Sequence, residues 1–164
     1  MAWKILAILM LAVASALACT NLMVTPGAST DGSVIYSYAA DSSALYGTLD
    51  RYPGRKNIPE GTMKVIWDWD SGKMIGEIPE PVETYDVVGN MNEFQVTIGE
   101  TTFGGLEQLW NKGQPGAIMD YGNLIWTTLQ RSKTAQEAIA MMDSLTKEYG
   151  CVLIYFKHSL EDLS

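Results

Sequence analysis

The sequence predicts an α+β fold with antiparallel strands, and three features carry that prediction. Short runs with β character, separated by turn-forming residues, occupy residues 20–99. After Gly104-Gly105 the apolar spacing changes from that of strands to that of helices. Thr134 and Glu137 then open the longest helical pattern in the manner of a capping box. Strands first and a pair of helices afterwards is the order of an α+β domain, not of alternating βαβ units.

Residues 20–25 and 33–38 read as strands, and the segment between them, Pro26 to Gly32, is dense in turn formers. Asp31-Gly32 between two apolar runs is a hairpin signal. Residues 47–62 hold proline, glycine and charge, and read as a surface loop packed through Tyr46 and Tyr52. Residues 63–69 make a third strand, ended by Ser71-Gly72. Residues 85–89 and 93–99 give two further short strands around Asn90-Met91-Asn92.

Leu124, Ile125, Thr128 and Leu129 have helical spacing, with Asp120 as N-cap. In the second helix Ala138, Ile139, Met142, Leu145 and Tyr149 line one face, and Gly150 supplies the stop. Met141 and Met142 read as core filler. There is no internal repeat and no low-complexity tract. Residues 151–164 begin with the apolar run Cys151 to Phe156 and continue without a packing pattern, as a divergent or truncated tail.

The chain opens with Lys4, the apolar run Ile5 to Ala14 and the small-residue pattern Ala16-Leu17-Ala18. A short positive region, an apolar stretch and an A-x-A site describe a signal peptide over residues 1–18. The apolar run is shorter than the roughly 20 residues that a bilayer core requires. Its removal predicts a secreted or periplasmic protein that begins at Cys19, with no membrane-spanning segment left. The rest of the 164-residue chain suffices for one domain. Loss of Lys4 leaves 10 basic against 19 acidic side chains, a formal charge of −9. That balance excludes a nucleic-acid partner, whose phosphates call for a basic surface.

Two cysteines, Cys19 and Cys151, do not make a disulfide framework, and no C-x-x-C pair suggests zinc. The single histidine, His158, has no partner motif, so neither a histidine triad nor a histidine metal site is expected. No metal and no cofactor is required by these residues. A leading cysteine carries a thiol and a free α-amine, with ordinary pKa values of about 8.5 and 7.7–8.0. The amine lies close enough to serve as the base of the thiol, as in a threonine activated by its own amine. If the hairpin turn centres near residues 28–30, Cys19 pairs opposite Tyr38 or Ala39, and Asp41 follows the strand end. Asp41 there could hold the α-ammonium, or it could be an ordinary turn residue. These residues alone leave three fates for Cys19: a nucleophile, a lipid anchor of the bacterial lipoprotein kind, or a bystander thiol.

Cys19-Thr20-Asn21, Ala28-Ser29-Thr30-Asp31-Gly32-Ser33 and Ala40-Asp41-Ser42 together resemble the N-terminus of the cysteine dipeptidases related to secernin. Those enzymes are N-terminal nucleophile hydrolases. The resemblance continues through Glu83-Thr84-Tyr85, Val88 to Glu93, Ile98 to Gly105, Met119-Asp120-Tyr121-Gly122, Leu129-Gln130-Arg131 and Lys133-Thr134-Ala135. It covers residues 19 to about 150.

The resemblance implies an αββα sandwich, incomplete in this chain, because family members run to several hundred residues. It implies hydrolysis of dipeptides through an acyl-enzyme on Cys19, with Asp41 as the aspartate beside the nucleophile. Glu100, Thr101, Thr102 and Asn92 are the residues it offers for substrate binding or the oxyanion hole. Related acylases place an arginine where this chain has Tyr38, so that role does not carry over. Rival readings are a lipid-anchored binding protein, a non-peptide amidase of the same superfamily, and an inactive truncated remnant.

Overall fold

The structure, a computed structural model, describes residues 19–40, 47–69, 71–101 and 116–151. The chain divides into two compact units, one of Met1–Thr48 with Gly99–Phe103, the other of Leu49–Ile98 with Gly104–Ser164.

In the first unit, β1 (Thr20–Val24) and β2 (Ile35–Ala39) form an antiparallel hairpin. The turn between them is closed locally. Ala28 N donates to Thr25 O at 2.9 Å, and Ser33 N donates to Asp31 Oδ1 at 3.0 Å. Gly32 takes φ 77°, the left-handed region that a Cβ disfavours. The register pairs Thr20 with Ala39 and Asn21 with Tyr38. Continued by one residue, it sets Cys19 across from Ala40, one step beyond the expected partner.

The second unit holds β3 (Arg51–Tyr52), β4 (Met63–Trp67), β5 (Met74–Pro79), β6 (Val87–Val88) and β7 (Met91–Asn92). It also holds α1 (Tyr121–Leu129) and α2 (Ala135–Tyr149). The strands pair antiparallel as β3-β6-β7 and β4-β5. The α+β class therefore stands. β5 was not expected from the sequence: Ser71-Gly72 does not end a strand region but turns the chain back. Ser71 N donates to Asp68 Oδ1 at 2.7 Å and Gly72 N to Asp68 O at 2.8 Å, so the turn is tied to one residue. Gly76 hid the strand from a pattern reading. It is needed because a Cβ there would stand 2.7 Å from Ile118 Cγ2.

Further differences are local. The strand expected over 85–89 shrinks to β6, and Asn90-Met91-Asn92 is not a connection, since Met91 and Asn92 themselves form β7. Residues 93–99 form no strand; Gln95 adopts φ 63°, which bends the chain out of extension. Within the loop expected over 47–62, Arg51 and Tyr52 pair with β6, and Tyr52 packs on the core as expected. Tyr46 lies outside the described residues.

Both helices start where their caps predicted. Asp120 accepts from Asn123 N at 2.7 Å, and Thr134 Oγ1 accepts from Glu137 N at 3.2 Å. Glu137 reaches back to Lys133 N at 2.7 Å, one residue before the usual capping-box donor. Gly150 ends α2 with φ 66°. Of the expected α2 face, Ala138 and Leu145 are buried, whereas Ile139 is 70% exposed and lies off the face. One core cluster joins Val87, Val96, Ile125, Leu129 and Ala138; a second joins Ile66, Ile78, Met119 and Leu145. The part of the tail after Cys151 lies outside the described residues.

Candidate active site

The site is built on one face of the β1–β2 hairpin. Alternation along a strand puts Asn21 on that face of β1, and Tyr36 and Tyr38 on that face of β2. Each tyrosine is opposite one residue but reaches diagonally to the residue two positions earlier, the second-nearest neighbour on an antiparallel face. Tyr36, paired with Met23, donates its hydroxyl to Asn21 Oδ1. Tyr38, paired with Asn21, brings its hydroxyl to 3.8 Å from Cys19 Sγ.

Residues 99–101 lie over the same face. Asn21 Nδ2 donates to Glu100 O at 2.9 Å, which fixes this segment to β1. A Cβ at position 99 would occupy the place of the Tyr36 hydroxyl, so the close approach depends on Gly99. Glu100 is thereby aimed at the start of β1. Its Oε1 accepts from the Tyr38 hydroxyl at 2.9 Å and stands 3.8 Å from Cys19 Sγ. Thiol, phenol and carboxylate thus form a triangle, with the side chains of Cys19, Asn21, Tyr36, Tyr38 and Glu100 all partly buried.

Burial, then the hydrogen bond to Glu100, pushes the Tyr38 phenol well above its ordinary range. Tyr38 is therefore a hydroxyl donor at any physiological pH. Burial, followed by the charges of Cys19 and Glu100, raises the Tyr36 phenol as well. The arrangement can hold a carboxylate in one position beside a thiol, which is what a nucleophile and its orienting group need.

Of the expected site residues, Cys19 and Glu100 are brought together. Thr101 is exposed beside Glu100. Asp41 and Thr102 lie outside the described residues. Asn92 belongs to the second unit, where it is 4% exposed and committed to structure. Its Nδ2 donates to Leu129 O at 2.8 Å and Ser132 O at 2.7 Å. Its Oδ1 accepts from Phe94 N and Val96 N, each at 3.0 Å. With both amide protons given to carbonyls, Asn92 has no donor left for an oxyanion. The substrate-binding role expected of it is withdrawn.

Tyr38 and Asn21 were not among the expected site residues. The signal available was the shared period of two that puts Asn21, Tyr36 and Tyr38 on the face leading to Cys19. Among the described residues no group of three or more His, Cys, Asp or Glu could hold a metal ion. No described helix is long and apolar enough to cross a membrane.

No curated protein and no solved structure matches this chain. The family model of Peptidase family C69 matches residues 55–155, more than half of the chain. That span contains Glu100, and it begins after the hairpin that carries Cys19. The chain belongs to Peptidase family C69, the family of the secernin-like cysteine dipeptidases.

Proposed function

We propose that this peptidase is a cysteine-type dipeptidase whose nucleophile is Cys19. The observation that carries the reading is the triangle in which Cys19 Sγ stands 3.8 Å from both the Tyr38 hydroxyl and Glu100 Oε1. Removal of residues 1–18 during export exposes the Cys19 α-amine, which takes the thiol proton. The sulfur attacks the carbonyl of a dipeptide, the C–N bond breaks, and the leaving amine takes up the proton. Water then cleaves the thioester, releasing the first amino acid and restoring the thiol. Glu100, fixed by Tyr38, holds the α-ammonium side of Cys19, with Asp41 as its second carboxylate. Thr101 and Thr102 supply donors to the tetrahedral oxyanion. The loss of one such donor typically costs about 10²–10³ in rate.

The α+β arrangement then forms part of an N-terminal nucleophile sandwich, and the protein works in the periplasm or outside the cell. The test is export from a bacterial host, the mass of the N-terminal peptide, and dipeptide hydrolysis by the wild type and Cys19→Ala. A free Cys19 at position one and hydrolysis lost in the variant support the reading. A diacylated Cys19, an uncleaved Met1 start, or undiminished hydrolysis by Cys19→Ala overturns it.

A further inference from the structure

The second unit carries a feature that this chemistry does not use. β4 puts Lys64 on the wall of an open cavity of about 450 Å³, also lined by Arg51, Arg55, Tyr52, Met63 and Glu80. In a chain of formal charge −8, this wall gathers three cations and one carboxylate. Arg55 is paired with Glu80, and Arg51 with Asp86 at 3.4 Å. Among the described residues Lys64 has no such partner. Its Nζ donates to two neutral oxygens, Thr127 Oγ1 at 3.1 Å and Gln130 Oε1 at 3.0 Å.

An ammonium has three protons, so one remains for a ligand. Burying a cation without a counter-charge is costly, and such groups are ordinarily paired. Burial, helped by the positive charges of Arg131 and Arg55, accordingly depresses Lys64 to about 8. A bound anion would supply the missing charge.

We propose that the Lys64 cavity is a binding site for a small organic monocarboxylate. Its carboxylate lies on the Lys64 ammonium, and its apolar body lies against Tyr52. Lys64 is the cation of the cavity wall without a carboxylate partner among the described residues, and a carboxylate supplies that partner. The cavity exceeds what a bare carboxylate fills, and Tyr52 gives its lining an aromatic member. The site is independent of the Cys19 chemistry, and its test does not read hydrolysis.

The full chain is titrated calorimetrically with isovalerate, with the neutral isostere isovaleramide, and with inorganic phosphate at pH 7. Saturable binding of isovalerate is expected, at least tenfold tighter than that of isovaleramide or phosphate. Lys64→Gln, which removes the charge and keeps a polar partner for Thr127 and Gln130, should weaken isovalerate at least tenfold. Lys64→Arg should retain binding. Should Lys64→Gln fail to fold, Nζ of wild-type Lys64, observed by ¹⁵N NMR, must titrate at higher pH when isovalerate is added. Absent saturable binding, equal binding of the amide, tighter binding of phosphate, or an unmoved Lys64 titration overturns the proposal.

Discussion

The Tyr38 hydroxyl is hydrogen-bonded to the Glu100 carboxylate across 2.9 Å, and this bond sets the carboxylate beside the Cys19 sulfur. A hydrogen bond to an ionised acceptor is roughly twice as strong as one between neutral groups. Tyr38→Phe removes the donor and keeps the ring. Dipeptide kcat/KM is expected to fall about 10- to 100-fold, from a charge-assisted bond worth about 1.5–3 kcal/mol. The rate of Cys19 alkylation by iodoacetamide should change its pH profile in the same variant. Wild-type kinetics together with an unchanged alkylation profile would show that Glu100 needs no support from Tyr38.

Asn92 makes four side-chain hydrogen bonds in a buried setting: two tie β7 to Leu129 at the end of α1 and to Ser132 beyond it, and two hold the loop after β7 through Phe94 N and Val96 N. Asn92→Ala leaves two carbonyls and two N–H groups to find new partners. A loss of about 2–4 kcal/mol is expected, since each stranded buried group costs about 1–3 kcal/mol and relaxation recovers part. Urea denaturation measures it. A change below about 0.5 kcal/mol, the range of ordinary surface substitutions, would contradict this account.

Asp120 is fully buried and serves two elements. It caps α1 through Asn123 N, and its Oδ2 accepts from Trp69 N at 2.7 Å, holding the turn after β4 to the helix start. Asp120→Asn preserves shape but replaces one acceptor by a donor facing an N–H. Destabilisation of about 2 kcal/mol or more is expected, beyond the roughly 1 kcal/mol of an exposed cap. Thr134→Ala at the exposed cap of α2 should cost only about 1 kcal/mol, so the two variants measured side by side separate burial from capping.

Lys64 predicts a pH dependence whose sign can be worked out. Its folded pKa, about 8, lies below the ordinary 10.5, so the unfolded chain binds more protons between those values. Stability contributed by this group therefore rises with pH from about 8 toward 10.5, as the native ammonium loses its proton first. The full span is worth on the order of 3 kcal/mol. Raised phenols such as Tyr38 and Tyr52 act in the opposite sense above pH 10, where they resist ionisation that the unfolded chain undergoes. The difference in unfolding free energy between wild type and Lys64→Met, followed from pH 7 to 9.5, isolates the lysine. A flat difference would contradict the assigned burial.

Local chemistry was enough to locate what depends on a few adjacent residues. Asp120 and Thr134 mark the helix starts because a cap acts on N–H groups two or three residues away. Gly150 marks the end of α2 for the same reason, and Asp31-Gly32 locates the hairpin to within one residue of register. The class of fold also follows from contiguous patterns. Family membership was legible because its motifs recur in order along the chain.

Tertiary structure decided whatever joins distant residues or two faces of one element. β5 escapes a pattern reading because Gly76 has no side chain to show, and it is small because Ile118 comes within van der Waals range of its backbone. Asn92 looks like a free polar group until Leu129 and Ser132, 37 and 40 residues away, take its protons. Ile139 fits the apolar spacing of α2, but only the packing shows that it points to solvent. Glu100 reaches Cys19 across 81 positions, because Gly99 lets the chain close on Tyr36 and Asn21 holds it there. Spacing along a chain cannot encode such a meeting. It arises when two segments bury one face together and their polar groups have to be satisfied by each other.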